Sequence, residues 1–159
     1  MVQIYVDLDG VLADFDQHYE TVFGVIANKE TDNVDWKAVG EVTNFYANIP
    51  PMEDMQELWN YVYFVSQAFF NNKPIVLTGI PYSVVTAEAN KRAWVQKHIG
   101  DDIQVIGCKS KDKCSYAKPG DVLIDDWKRY KHLWIEKGGV WITHTSAKNT
   151  IRHLKEMSL

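Results

Sequence analysis

Apolar residues collect along the chain into five short runs, at 2–6, 75–77, 103–106, 122–124 and 140–142. Each run is rich in Val, Ile or Leu and too short for a buried helix, so each reads as a strand covered on both faces. Segments of helical spacing lie between the later runs, at 84–98, 127–137 and 147–157. Gly100 and the pair Gly138-Gly139 stand where the first two of these helices should stop. Strand alternating with helix predicts an α/β fold: a Rossmann-like parallel sheet with right-handed crossovers and helices on both faces.

One interval breaks the rhythm. About seventy residues separate the first run from the second, far more than a crossover requires. The interval is helical in spacing and aromatic, with Phe15, Tyr19, Phe23, Trp36, Phe45, Tyr46, Trp59, Tyr61, Tyr63, Phe64, Phe69 and Phe70. Pro50-Pro51 divides it, and 53–70 reads as one long helix. The expectation is a small helical cap inserted after the first strand, over the end of the sheet. This gives a core of 1–13 and 72–159 with a cap of 14–71. Most of the aromatics, Phe64 and Phe69 among them, are expected to fill a core.

Composition narrows the classes of function. A chain of 159 residues fits one domain with an insertion, and 46% hydrophobic residues are ample for a core. The net charge of −4 gives no broad basic face, which disfavours duplex nucleic acid or an anionic membrane surface as partner. A small anionic substrate is compatible, because local cations can serve it. Cys108 and Cys114 have no second Cys or His pair at a zinc-finger spacing and read as reduced thiols. The first residues have neither the basic nor the long apolar segment of a signal peptide, and no apolar run approaches membrane-spanning length. A soluble, cytoplasmic protein is expected; oligomeric state is open.

The chemistry begins at Ile4-Tyr5-Val6-Asp7-Leu8-Asp9-Gly10-Val11. A run that should bury itself ends in two carboxylates two positions apart, which an extended backbone points to the same side. Gly10 permits a sharp exit. Carboxylates this close repel unless a cation neutralises them or one holds a proton. A hard divalent ion such as Mg²⁺ suits such oxygens, and a protonated second acid suits general acid catalysis. An EF-hand loop would need its glycine at the sixth position, not the fourth, and no Gly-Lys-Ser/Thr phosphate loop occurs. A turn with two solvated acids is the plain alternative.

Other strand ends add to the set. The second strand ends in Thr78-Gly79, offering a hydroxyl and backbone N–H groups to a phosphate oxygen. The fourth ends in Asp125-Asp126, preceded by Lys109, Lys111 and Lys113. Ligands of doubly wound sheets bind at the carboxyl ends of the strands, so these groups would meet in one crevice.

Asp7-x-Asp9-Gly10-Val11, Leu77-Thr78-Gly79, a lysine and Leu123-Ile124-Asp125-Asp126 together resemble the four motifs of the haloacid-dehalogenase-like hydrolase superfamily. The stretches Asp7 to Phe15 and Asp121 to Asp126, with Ile49-Pro50-Pro51-Met52 before a Trp-bearing helix, are similar to the 5′(3′)-deoxyribonucleotidases. Receiver domains share the first acid pair but lack the acids after the lysines and the cap. The resemblance implies a phosphatase that hydrolyses nucleoside monophosphates, 5′-deoxyribonucleotides first, through an aspartyl-phosphate on Asp7. Asp9 would be the acid–base, Thr78 and Gly79 would hold the phosphoryl group, and a lysine would offset charge, with Lys113 fitting better than Lys109 or Lys111. Asp7, Asp125, Asp126 and the carbonyl of Asp9 would hold Mg²⁺. Phe15, Tyr19, Phe45 and Tyr46 are the cap candidates to pack on a nucleobase. Another small phosphate ester, a nucleic-acid 3′-phosphate, and a non-catalytic phosphate- or metal-binding module are the alternatives. No stable complex with membrane or nucleic acid is expected.

Overall fold

The computed structural model describes residues 1–159. Five strands, β1 (Ile4–Val6), β2 (Ile75–Gly79), β3 (Val105–Cys108), β4 (Val122–Asp125) and β5 (Val140–Thr143), form one parallel sheet in the order β3-β2-β1-β4-β5. Ile4, Val6, Val122, Leu123 and Ile124 are fully buried, as strands covered on both faces must be. Alternation divides the sheet's side chains: Ile4, Val6, Val76, Val122 and Ile124 face the larger core, and Tyr5, Leu77 and Leu123 the smaller one.

Six helices flank or cap this sheet: α1 (Phe15–Phe23), α2 (Trp36–Glu41), α3 (Met55–Phe70), α4 (Ala87–His98), α5 (Lys131–Glu136) and α6 (Ala147–Glu156). The larger core takes Leu58, Val62 and Val65 of α3, Trp94 and Val95 of α4 and Leu154 of α6. The smaller core is closed by Trp134 of α5, whose indole lies edge-on to Tyr5 at 5.5 Å.

The long helix differs in place from the cap expected over 14–71. α3 packs against α6 on the face of the sheet, because Leu58, Val62 and Val65 give it a continuous apolar stripe that only the sheet layer can cover. The part that overhangs the strand ends is the earlier one. Its two ends are fastened together where they leave and rejoin the core: Asp14 N–H donates to Pro50 O at 2.8 Å and Met52 N–H to Leu12 O at 2.8 Å. Phe64 and Phe69 are exposed, not core residues. Phe64 stands opposite the buried stripe of α3, and Phe69 lies in the last turn with Phe70 as its aromatic neighbour. The third strand runs two residues later than its apolar run suggests. The segment expected as one helix from 127 opens instead as a 3-10 turn, Lys128–Tyr130, before α5.

Candidate active site

Register decides where the polar strand ends meet. Val6 pairs with Val76 on one side and with Ile124 on the other, so Asp7 and Asp125 come level, while β2 runs on beyond them to Thr78 and Gly79. β1 and β4 are adjacent where the chain reverses its direction of travel across the sheet, the point at which such folds open a crevice. Asp7 N–H donates to Ile124 O at 2.9 Å, which sets Asp7 beside Asp125.

After Asp7 the chain coils tightly. Leu8 O accepts from the N–H groups of Val11, Leu12 and Ala13, and Gly10 adopts a φ of +81°. A Cβ at Gly10 would lie 2.1 Å from Asp126 Oδ2, so the acid of the fourth strand packs on the glycine's bare face. Asp14 then caps α1, accepting from Gln17 N–H at 3.2 Å.

Three lysines face the four acids: Lys91 and Lys113 are buried and Lys29 is half-buried. Lys113 Nζ is 2.7 Å from Asp125 Oδ2 and 3.0 Å from Asp7 Oδ1, bridging the two strand ends. Lys29, on the loop between α1 and α2, reaches Asp126 Oδ2 at 3.1 Å. Lys91 of α4 reaches Asp9 Oδ2 at 2.7 Å. Asp7 Oδ1 also accepts from Leu8 N–H at 2.8 Å, and Asp125 Oδ1 from Trp127 N–H at 2.9 Å.

These neighbours set protonation. Burial alone would push the Asp7 carboxyl up, but Lys113, Lys29 and Lys91 together hold it below its ordinary value. Asp125 is raised by burial and by Asp7, against the pull of Lys113. Asp126 is pushed up to about 7 by burial, with Lys29 opposing and Asp7 and Asp125 adding to the rise. Burial pulls Lys113 down, yet Asp125 and Asp7 outweigh it and keep the ammonium charged. The same balance, with Asp126, Asp7 and Asp9 as the acids, raises Lys29. The centre is thus an ionised Asp7 beside two carboxyls reluctant to ionise.

Carboxylate oxygens of Asp7, Asp125 and Asp126 lie within 4.8 Å of one another. Asp126 Oδ1 is buried without a hydrogen-bond partner. An all-oxygen, acidic donor set with an unsatisfied oxygen fits a hard divalent cation such as Mg²⁺. The Asp9 carboxylate lies outside this group, committed to Lys91.

Above the acids lies a cavity of about 320 Å³, within the range of small-ligand pockets. Asp7, Asp9, Phe15, Tyr46, Gly79, Lys113 and Asp125 line it. Thr78 sits just behind, its Oγ1 3.2 Å from Lys91 Nζ. Tyr19 and Phe45, expected on the substrate side, are instead buried in the cap's own core. Phe15 stacks on Tyr19 at 5.9 Å and meets Phe45 edge-on at 5.8 Å, and the Tyr19 hydroxyl accepts from Asp35 N–H. Lys109 is exposed over the Tyr82 ring and Lys111 is exposed, so Lys113 alone of that cluster enters the site.

Lys29, Lys91, Trp36 and Trp127 line the cavity without having been singled out by sequence. Lys91 had a signal: it lies in the stripe of Ala87, Trp94 and Val95 that α4 buries, where a lysine must have partners. Lys29 had none, being in a polar loop held by Asn28 and Asn33 through side chain–backbone bonds.

No protein-family model and no curated protein sequence matches the chain. Solved structures do match. L-2-haloacid dehalogenase from Xanthobacter autotrophicus aligns over 98% of this chain and 83% of its own, at 12% identity and a TM-score of 0.50. A HAD hydrolase of family IA, variant 3, from Entamoeba histolytica HM-1:IMSS aligns over 98% and 89%, at 11% identity and a TM-score of 0.43. The parallel five-stranded α/β sheet therefore has the fold of L-2-haloacid dehalogenase.

Proposed function

We propose that the protein is a Mg²⁺-dependent phosphomonoesterase acting on nucleoside monophosphates, 5′-deoxyribonucleotides first. The observation that carries this reading is Lys113 bridging Asp7 and Asp125 beneath the cavity, at 3.0 and 2.7 Å. It leaves an ionised, buried carboxylate with a fixed neighbouring cation, which is what an activated nucleophile needs. Asp7 attacks phosphorus in line and forms an aspartyl-phosphate. Asp9, in its protonated form, gives its proton to the leaving oxygen and then takes one from the water that hydrolyses the intermediate. Thr78 and the Gly79 backbone orient the phosphoryl group, and Lys113 offsets its charge. Asp7, Asp125 and Asp126 would hold Mg²⁺, which when bound neutralises charge on the phosphoryl oxygens.

Two features favour a phosphate ester over the carbon–halogen bond acted on by the dehalogenase. A halide leaves without needing a proton, so Asp9 would have no task. The surplus of acids also calls for a divalent cation. Phe15, Trp36, Tyr46 and Trp127 around the cavity support a nucleobase, since base–aromatic stacking contributes roughly 1–3 kcal/mol.

Phosphate release should be measured with nucleoside monophosphates and with small sugar phosphates, with Mg²⁺ and with chelator. We expect turnover that needs Mg²⁺, is fastest on nucleotides and is lost in Asp7→Asn. Equal rates on all esters would overturn the substrate class. An active Asp7→Asn would overturn the mechanism.

A further inference from the structure

The loop over 27–34 carries a lysine to which the chemistry above gives no task. Ala27 and Val34 are buried at the two ends of this loop. Asn28 and Asn33 clasp what lies between: Asn28 N–H donates to Asn33 Oδ1 at 2.7 Å, and Asn33 Nδ2 to Ile26 O at 2.9 Å. Glu30 N–H donates to Asn28 Oδ1 at 2.9 Å, so the backbone on either side of Lys29 is fixed. Lys29 Nζ lies 3.1 Å from Asp126 Oδ2, and 26% of the side chain remains exposed, on the wall of the cavity. An ammonium has three donors, and Asp126 takes one of them. Lys91 spends all three of its own on Asp9, Thr78 and Gly79. Lys113 divides its donors between Asp7 and Asp125. Lys29 is therefore the lysine with two donors to offer a ligand.

Charge points the same way. Four acids meet three lysines at the strand ends. With every acid ionised the cluster carries one negative charge, and a divalent cation turns this into one positive charge. Without Lys29 the loaded cluster would be neutral and would not draw a dianion from solution. Asp126, which holds Lys29, also offers an oxygen within 4.8 Å of Asp7, the attacking acid.

We propose that Lys29 is a substrate-binding residue: the cap brings it to the acid cluster, where its spare donors hold a phosphoryl oxygen from the cap side while Thr78 and Lys113 hold the group from the sheet. This inference rests on the phosphomonoesterase reading. It makes the cap part of phosphate recognition, and not of nucleoside recognition alone. Lys29 and a divalent cation both draw on Asp126, so removal of the lysine weakens phosphate without weakening the metal. A lysine that served only to position Asp126 would do the reverse, because its loss would disturb a metal ligand.

The test separates the two ligands. Calorimetric titration at pH 8 measures Mg²⁺ alone, then inorganic phosphate at saturating Mg²⁺, for the parent, Lys29→Met and Lys29→Arg. We expect phosphate to bind Lys29→Met about tenfold more weakly than the parent, and Lys29→Arg, which keeps charge and donors, within about threefold of it. Mg²⁺ should bind Lys29→Met at least as tightly as the parent. In turnover, kcat/KM for a nucleoside 5′-monophosphate and for p-nitrophenyl phosphate should fall by the same factor, since the two share only the phosphoryl group. Unchanged phosphate affinity, a loss of Mg²⁺ affinity, or a fall in kcat/KM confined to the nucleotide would overturn the proposal. If Lys29→Met does not fold, Lys29→Gln, which keeps a polar end without the charge, decides by the same ratios. A parent that binds no phosphate with Mg²⁺ would instead remove the phosphatase reading, and this proposal with it. Phosphate bound equally by parent and Lys29→Met removes the proposal alone.

Discussion

Residue 10 shows how closely one backbone position controls the acid cluster. Its φ of +81° is one that L side chains resist by about 1–2 kcal/mol. Its missing Cβ is the surface on which the Asp126 carboxylate rests. Gly10→Ala adds strain and also drives Asp126 away from Asp7 and Asp125. In a chain of this length each kcal/mol lowers Tm by about 2–4 °C. Calorimetry should show a fall of several degrees, and a Mg²⁺ titration a loss of affinity of about tenfold. Unchanged Mg²⁺ affinity would show that Asp126 does not hold the ion. The acids were legible in the sequence because an apolar strand ending in carboxylates conflicts with its own burial, and that conflict marks a site. Tyr19 and Phe45 were misplaced for a related reason. An aromatic residue in a cap reads the same whether it lines a cavity or fills the cap: Tyr46 packs on Phe15 as Tyr19 and Phe45 do, and only its place on the cavity wall sets it apart.

Elements were legible where local pattern and tertiary demand agreed. β1, β2 and β4 follow their apolar runs because each is covered on both faces. β3 is displaced because pairing with β2 sets its register, matching Leu77 to Ile106 and Gly79 to Cys108. The helix expected from 127 does not begin there because Trp127 N–H serves Asp125 Oδ1, holding that residue extended and delaying the helix. α4 joins the two parts of the molecule. Its Trp94 is 1% exposed and donates from Nε1 to Ile49 O at 2.7 Å, at the point where the cap returns to the core. Trp94→Phe keeps most of the apolar volume but leaves that carbonyl buried without a donor, which costs about 1–3 kcal/mol. Thermal unfolding should show the corresponding fall in Tm. A variant as stable as the parent would mean that Ile49 O finds another donor.

At the scale of the whole molecule, the cap and the strand ends enclose acids whose charge the fold resists. No helix is long and apolar enough to cross a membrane, and the buried charge is instead concentrated over the centre of the sheet. Sequence could show that these acids converge, but not that Lys29 would come from a loop nearly a hundred positions away in the chain to meet Asp126, since that contact exists only once the cap is seated. The pH dependence of stability follows from Asp126, whose folded value near 7 exceeds its ordinary 3.8. Between those values the native state holds a proton that the unfolded chain has lost, so stability falls as pH rises across that window and is level above it. Asp125, raised in the same direction, adds to the fall; Asp7, lowered, titrates below the window and does not. Asp126→Asn removes this contribution. Its Tm relative to the parent should therefore climb from pH 4 to pH 7 without Mg²⁺ and then stay constant. Mg²⁺ needs the ionised acids, so it should raise the parent's Tm more at pH 8 than at pH 5, and the variant's much less at either. A Tm difference between variant and parent that is flat from pH 4 to pH 8 would mean that Asp126 ionises as freely in the fold as in water, and the charged centre described here would not be under strain.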